Sequence, residues 1–454
     1  MDVYRERLEQ MRLSRRGFLK RGAAFGAGVA AIGTLPALLG ACSGSSAQSG
    51  APAAGQTTLN VLAPAAPDPA PVGVATYGAG AIAEFNKWQT DNKAKVVYEA
   101  IPWPQLHDKM ATAFTSGNPP WDITYDCAWI PEFQKSLIEI GSMLSPDIKA
   151  DLPPSSFGTT TIDGKIYGVV FSLSLLTLFY NQEHFQQAGL TDPPKTWDDL
   201  KRYVKELTHG DQYGWVLNYG APEGIGGVAS YWMTYLQQAG GKMYGSDGMP
   251  VFNDTRGVDA LQLMLDLNTA GTDPGSISYV GINDATNVLM AGKASMMMNW
   301  PYMWVPAQDP KSSKIVGKLG SAILPAGSAG TASLDGTDAW TITTAAKNPK
   351  LAMQLIELYL DPVQQKSMCL DTGWLPIRLS VLNDPDVQKK AANAATVLEQ
   401  ANHPYDSFVT ADYNQITQVI GTEIQKALKG QKTAAQAIKD SSDQVTTIVK
   451  NRPA

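Results

Sequence analysis

The chain has 454 residues, with 36 Lys and Arg against 42 Asp and Glu and a formal net charge of −6 at neutral pH. An acidic balance of this kind excludes non-specific nucleic-acid binding, which needs a cationic surface. The length leaves room for two substantial domains.

The first element in chain order is an address rather than a part of the fold. Ser14 to Lys20 (SRRGFLK) resembles the twin-arginine export signal, with Arg15 and Arg16 as its pair. The apolar run that follows, Gly22 to Leu39, is rich in Gly and Ala. At about 1.5 Å per residue it barely spans a bilayer. It ends in Leu39-Gly40-Ala41-Cys42, which resembles a lipoprotein processing box. Residues 1–41 are therefore expected to be removed and Cys42 to carry the lipid, an uncleaved anchor being the alternative. Residues 42–56 are Ser, Gly, Ala, Pro and Gln with few large apolar side chains, so they predict a flexible tether. Residues 1–41 hold seven Lys and Arg against three Asp and Glu, which leaves −10 on the remaining 413 residues. No later apolar run reaches 18 residues, so nothing else is expected to span a membrane. The expected location is outside the cytoplasmic membrane, anchored to its outer face or in the periplasm.

From Thr58 the pattern predicts a strand, then a helix over 81–90, then a second strand from Ala94. Helices over 104–116 and 131–140 flank a short apolar run from Trp121 to Tyr125, which argues for an α/β sheet with helices on its faces. Ligands of such sheets sit at the carboxyl ends of the strands. The middle of the chain predicts helices over 197–208, 229–238, 255–268 and 284–290, with Thr196 and Asp254 as N-caps. The last third predicts helices over 349–360, 387–399, 412–428 and 433–449, and no repeat of fixed period is present.

An ordered series of motifs carries a resemblance. Ile162 to Val170 (IDGKIYGVV), Leu178 to Leu190 (LFYNQEHFQQAGL) and Pro193 to Leu200 (PPKTWDDL) are followed by Gln238 to Gly241 (QAGG) and Met290 to Trp300 (MAGKASMMMNW). Ile323 to Gly327 (ILPAG), Lys347 to Ala352 (KNPKLA) and Thr372 to Arg378 (TGWLPIR) complete it. Taken in this order they resemble the family 1 extracellular solute-binding proteins of ABC importers, the maltose-binding-protein-like sugar binders, over about residues 58–450. The resemblance implies a type II periplasmic-binding-protein fold: two α/β lobes joined by strands that cross between them, with the ligand cleft between the lobes. Mapped here, lobe one is 57–171 with 340–382, and lobe two is 177–335 with 387–454. It also implies permease subunits as partners, a monomeric chain and no cofactor.

Eleven Trp and seventeen Tyr are suited to a cleft that stacks sugar rings on aromatic faces and offers carboxylates to their hydroxyls. Asp126 and Trp129 follow a strand end. Trp300 and Tyr302 follow the run Ala294 to Met298, and the resemblance implies that the residue at Trp300 stacks on sugar. Asp338 and Trp340 fall near an expected crossing. Trp374 and Arg378 lie in a Gly/Pro-rich loop, and Tyr231 and Trp232 open a helix. These are the candidate ligand residues, with ordinary packing as the competing role of each; Trp88, Trp197 and Trp215 are assigned to packing outright. Met296, Met297 and Met298 read as a buried strand rather than a copper site, because consecutive strand residues point to opposite faces. His107, His184, His209 and His403 have no ligand spacing, and neither do Cys127 and Cys369. These two cysteines are expected as buried thiols, a disulfide being the alternative.

The chain contains no nucleophile elbow, no His-Glu-x-x-His and no phosphate-binding Gly-rich loop ending in Gly-Lys-Ser/Thr, so an enzyme is not expected. The function expected is capture of a sugar or oligosaccharide for import. Glycerol 3-phosphate or another polar solute is the alternative, and a dianion would require several cationic groups where the candidate set supplies only Arg378.

Overall fold

The segment TTLNVLAP carries Leu59, Val61 and Leu62 with only Asn60 interrupting them, and all three are wholly buried because parallel strands are covered on both faces. The computed structural model describes residues 55–64, 81–126, 128–221, 227–336, 338–403, 405–406 and 410–452. The export motif, Cys42, residues 42–54 of the expected tether and Cys127 lie outside the described residues. In chain order the strands are β1 (Thr57–Pro64), β2 (Ala94–Ile101), β3 (Ile123–Asp126), β4 (Thr161–Ile162), β5 (Lys165–Ile166), β6 (Gly168–Val170), β7 (Thr177–Asn181), β8 (Tyr213–Trp215), β9 (Ala294–Asn299), β10 (Leu319–Ala322), β11 (Ser333–Leu334), β12 (Ala339–Ile342) and β13 (Tyr405–Asp406).

Two larger sheets organise the chain. The first has the order β2-β1-β3-β12-β6, with β12 antiparallel to both neighbours. Helices Ile82–Asp91, Trp103–Thr115 and Pro349–Tyr359 pack on it. The second has the order β10-β7-β9-β8, and helices Trp197–Glu206, Thr255–Gly271 and Ile282–Met290 cover it. Helices Val228–Gln238, Tyr413–Leu428 and Ala434–Lys450 pack onto the Thr255–Gly271 helix as an outer layer. Met296, Met297 and Met298 form the buried middle of β9. Among the described residues no cluster of three metal-binding side chains occurs, and no helix is long and apolar enough to cross a membrane.

Three segments run side by side between the sheets. The link from β6 to β7 is hydrogen-bonded to the link from β11 to β12 through Leu176 N–H to the Leu334 carbonyl (3.4 Å), Gly336 N–H to the Ser174 carbonyl (2.9 Å) and Phe171 N–H to the Asp338 carbonyl (3.2 Å). The loop after Gly373 joins them through Leu173 N–H to the Leu375 carbonyl at 3.0 Å. Beneath this third segment sits a small separate core of Leu175, Leu375, Val381, Val387 and Cys369, whose thiol is free and buried.

The expected caps are present: Thr196 and Asp199 form a capping box, and the Asp254 carboxylate accepts from Arg256 and Gly257 N–H. Two expected helices are shorter. The one over 131–140 stops as Ile130–Phe133 and a single 3-10 turn, because the chain then pairs with the extension of β12 (Ile138 N–H to the Ile342 carbonyl, 2.9 Å). The one over 387–399 is split into Pro385–Lys390 and Ala394–Gln400, and the Asn393 side chain at the break donates to the Pro301 carbonyl.

Candidate functional site

Strand alternation divides the aromatic residues of the first sheet. Trp340 lies opposite Tyr125 in the β12–β3 register, and their rings meet edge to face at 5.6 Å. Phe171, the first residue past β6, packs on both, 5.4 Å from Trp340 and 5.8 Å from Tyr125. Trp374 stacks on Phe171, and the Tyr302 ring lies 6.4 Å from Trp374 with the planes 28° apart. A chain of rings thus runs from Tyr302, beyond β9 of the second sheet, through Trp374 and Phe171 in the crossing segments, to Trp340 and Tyr359 in the first lobe.

Backbone geometry sets two of these rings. The helix Pro362–Thr372 ends at Gly373 with φ +82, a left-handed turn that swings Trp374 back toward the crossings. A side chain on Gly373 would press on the Tyr302 carbonyl and on Val305. Trp300 lies against Gly336 so closely that a Cβ there would overlap its ring. Asn299 fixes this turn, accepting from Trp300 N–H at 2.7 Å and donating to Thr286 Oγ1 at 2.9 Å.

Asp338 sits at the start of β12 and is nearly buried. Burial pushes its carboxyl up to about 8; a hydrogen bond from Tyr125 opposes the shift, and the charge of nearby Asp335 adds to it. Asp126, across the pairing from Ala339, is fully buried at the carboxyl end of β3. On the second-lobe side, the Tyr231 hydroxyl donates to Asn218 Oδ1, Tyr219 packs edge-on at 6.4 Å, and Gln425 donates to the Tyr219 carbonyl.

The other candidates have different surroundings. Trp232 is fully inside the second lobe, its Nε1 donating to the Gly257 carbonyl at 3.0 Å and its ring against Phe252. Arg378 is held by Asp151 at 2.7 Å and also donates to the Leu360 carbonyl. The Asp151 carboxylate further accepts from Ser380, so this cluster ties the third crossing to the first lobe. Trp129, the residue before helix Ile130–Phe133, donates through Nε1 to Asn414 Oδ1 at 3.0 Å. The structure therefore brings Trp300, Tyr302, Asp338, Trp340 and Trp374 to the crossings and leaves Trp232 and Arg378 with framework partners. Sequence reasoning missed Phe171 and Tyr125. Phe171 has a legible signal, since it is the first residue beyond the motif IDGKIYGVV at the expected end of lobe one.

A family model described as bacterial extracellular solute-binding protein matches residues 70–366. A probable ABC transporter-binding protein of Deinococcus radiodurans is 26% identical over 345 residues, covering 71% of this chain and 78% of the relative. A probable amino-acid ABC transporter periplasmic-binding protein of Sinorhizobium fredii is 25% identical over 375 residues, covering 79% and 83%. Among solved structures, maltose-bound MalE3 of T. maritima superposes with a TM-score of 0.77 at 24% identity, covering 86% of this chain and 100% of the other.

Proposed function

The chain belongs to the bacterial extracellular solute-binding proteins, and from that premise we propose that it is the capture subunit of an ABC importer, taking a neutral sugar or short oligosaccharide between its lobes. The observation that carries this reading is the run of rings Tyr302, Trp374 and Phe171 at the crossings, with Trp300 against the adjacent strand. Flat apolar ring faces with a few convergent polar groups are what a pyranose needs, and Asp338 and Asp126 supply acceptors for its hydroxyls. We assign Trp300, Tyr302, Trp374, Asp338 and Asp126 to solute, and Trp232, Trp340 and Arg378 to the framework. The family is one of solute binders rather than catalysts. The maltose in the similar T. maritima structure supports the sugar class.

The commitment of Arg378 to Asp151 argues against glycerol 3-phosphate, whose dianion would need that guanidinium and more. An amino acid, the solute class in the name of the Sinorhizobium relative, would instead set its ammonium against Asp338. Solute bound by both lobes shifts the chain toward the shut form by its differential affinity for that form, which is how a permease reads occupancy. The lipid on Cys42 and export through Arg15 and Arg16 belong to the same proposal and rest on the sequence.

The test is thermal unfolding of the chain from residue 46 onward against mono-, di- and oligosaccharides, glycerol 3-phosphate and amino acids. A solute at a hundred times its Kd adds about 2.7 kcal/mol, a rise of a few degrees. A saccharide that raises Tm supports the reading. A rise with glycerol 3-phosphate or an amino acid alone would overturn the cleft chemistry and leave the family intact.

A further inference from the structure

The turn that carries Trp300 and Tyr302 is gripped from two directions. At its start Trp300 N–H donates to Asn299 Oδ1 at 2.7 Å. At its middle the Pro301 carbonyl accepts from Asn393 Nδ2 at 2.9 Å, from 92 positions later in the chain, as well as from the Trp304 N–H that closes the 3-10 turn Pro301–Met303. Asn393 stands at the break between helices Pro385–Lys390 and Ala394–Gln400, and its neighbours Ala391, Ala394 and Val397 pack into the small core with Leu175 and Leu375 beneath the third crossing segment. We infer that Asn393 is a positioning residue for the solute site: it fixes this turn against the crossings, and with it the angle at which the Trp300 and Tyr302 rings meet the solute. The inference rests on the assignment of those two rings to solute.

Burial and chemistry separate this role from plain packing. Asn393 is 1% exposed, and its Oδ1 has no hydrogen-bond partner among the described residues. A half-paired buried amide carries a desolvation cost that an apolar side chain of similar shape avoids, so the amide is a poor choice for core stability alone. It is not a cap either: the side chain makes no bond to the first N–H groups of helix Ala394–Gln400, whose N-cap position it occupies. Among the described residues its one side-chain hydrogen bond goes to the peptide between the two rings. The ring of Pro301 already locks φ there, and the direction of its carbonyl sets ψ. Holding that carbonyl therefore fixes both angles that decide where Tyr302 leaves the turn relative to Trp300.

The test uses the mature chain with Asn393→Leu, which keeps the branched shape and removes the donor. Asn393→Ser, smaller and suited to a helix start, replaces it if the Leu variant does not fold. Trp232→Phe, a framework change, is the control for lost stability. Hydrogen exchange read by mass spectrometry follows the turn without solute: the amides of Trp300, Met303 and Trp304 should exchange faster in the Asn393 variants and at the parental rate in Trp232→Phe. Calorimetric titration with maltose, well below Tm, should then give a Kd about five- to ten-fold weaker than the parent's, the scale of one buried hydrogen bond or slightly more, while Trp232→Phe binds as the parent does. A merely structural role would lower Tm and leave the Kd of the folded chain unchanged. Parental exchange across the turn overturns the proposal, with or without a solute in hand, and so does faster exchange with a parental Kd. Where the parent binds another member of the thermal panel in place of maltose, the titration is made with that solute. A non-sugar there sinks the sugar reading, while the role of Asn393 is still decided by its own two readouts.

Discussion

Trp374 lies face to face with Phe171, ring centroids 5.6 Å apart and planes 10° apart, and this pair joins the loop after Gly373 to the strand leaving β6. Two of the three crossing segments are thereby held in register by a stack as well as by the Leu173–Leu375 backbone hydrogen bond. The proposed binding surface and the joint between the lobes are built from the same rings, so changes at one are expected to be felt at the other.

Trp300 is the sharpest test of the solute assignment. Trp300→Ala should weaken the solute found in the thermal panel by about ten-fold or more, the scale of a buried aromatic anchor, while the chain stays folded. Calorimetric titration reading the parent affinity in this variant would remove Trp300 from the site. Gly336→Ala should have a related effect by displacing the ring, with about 1–3 kcal/mol of overpacking cost in thermal unfolding.

Asp338 makes stability depend on pH in a defined direction. Its carboxyl titrates near 3.8 when unfolded and near 8 when folded. Between those values the folded chain holds more protons than the unfolded one, so this group's contribution to stability falls as pH rises from about 4 to about 8 and is level above. The slope is at most about 1.4 kcal/mol per pH unit. Asp338→Asn, which still accepts from Tyr125, should flatten that part of the profile in denaturant titrations at pH 5, 6.5 and 8. Parallel profiles for parent and variant would contradict the assignment.

Arg378 is expected to act on stability more than on solute. Arg378→Ala leaves the Asp151 carboxylate, 19% exposed, without its guanidinium and should cost about 2 kcal/mol, less than a fully buried pair because water reaches both groups. Urea midpoints measure this. A variant of parental stability that has lost solute would return Arg378 to the binding surface.

Trp232→Phe should lower Tm by removing the hydrogen bond to the Gly257 carbonyl, at about 1 kcal/mol plus lost packing, and leave affinity untouched. Loss of binding at unchanged Tm would put the indole in contact with solute after all.

Cys42→Ala should release the exported chain from the membrane fraction of cells, as judged by fractionation with and without detergent. Persistent attachment would point to an uncleaved anchor instead.

Much of the architecture was legible because its signals are local. The caps at Thr196 and Asp254, the buried methionine strand and the helices at the end of the chain follow from spacing and capping chemistry alone. The two shortened or split helices were set by distant partners. The helix expected over 131–140 gives way where residue 138 meets β12, about two hundred residues later in the chain. The helix Pro362–Thr372 lies outside the expected elements although its signals are local: Asp361 as N-cap, Pro362 in its first turn and Gly373 at its end. For single residues the limit is physical: Trp232 and Trp300 have the same composition-level credentials, and only their neighbours distinguish a framework indole from one on the crossings.

The place of β12 in the first sheet governs the order in which the molecule can be finished. β12 lies between β3 and β6, and its Thr341 hydroxyl is hydrogen-bonded to Thr124, 217 positions earlier. At roughly 5–20 residues per second, a ribosome takes on the order of ten to forty seconds to make that interval. During this time β3 is paired with β1 on one side only and the edge that β12 will take stays open, while the second lobe is being made in the middle of the first. The first lobe therefore cannot mature as an independent early unit: its completion waits on a strand delivered after the chain has visited the other side.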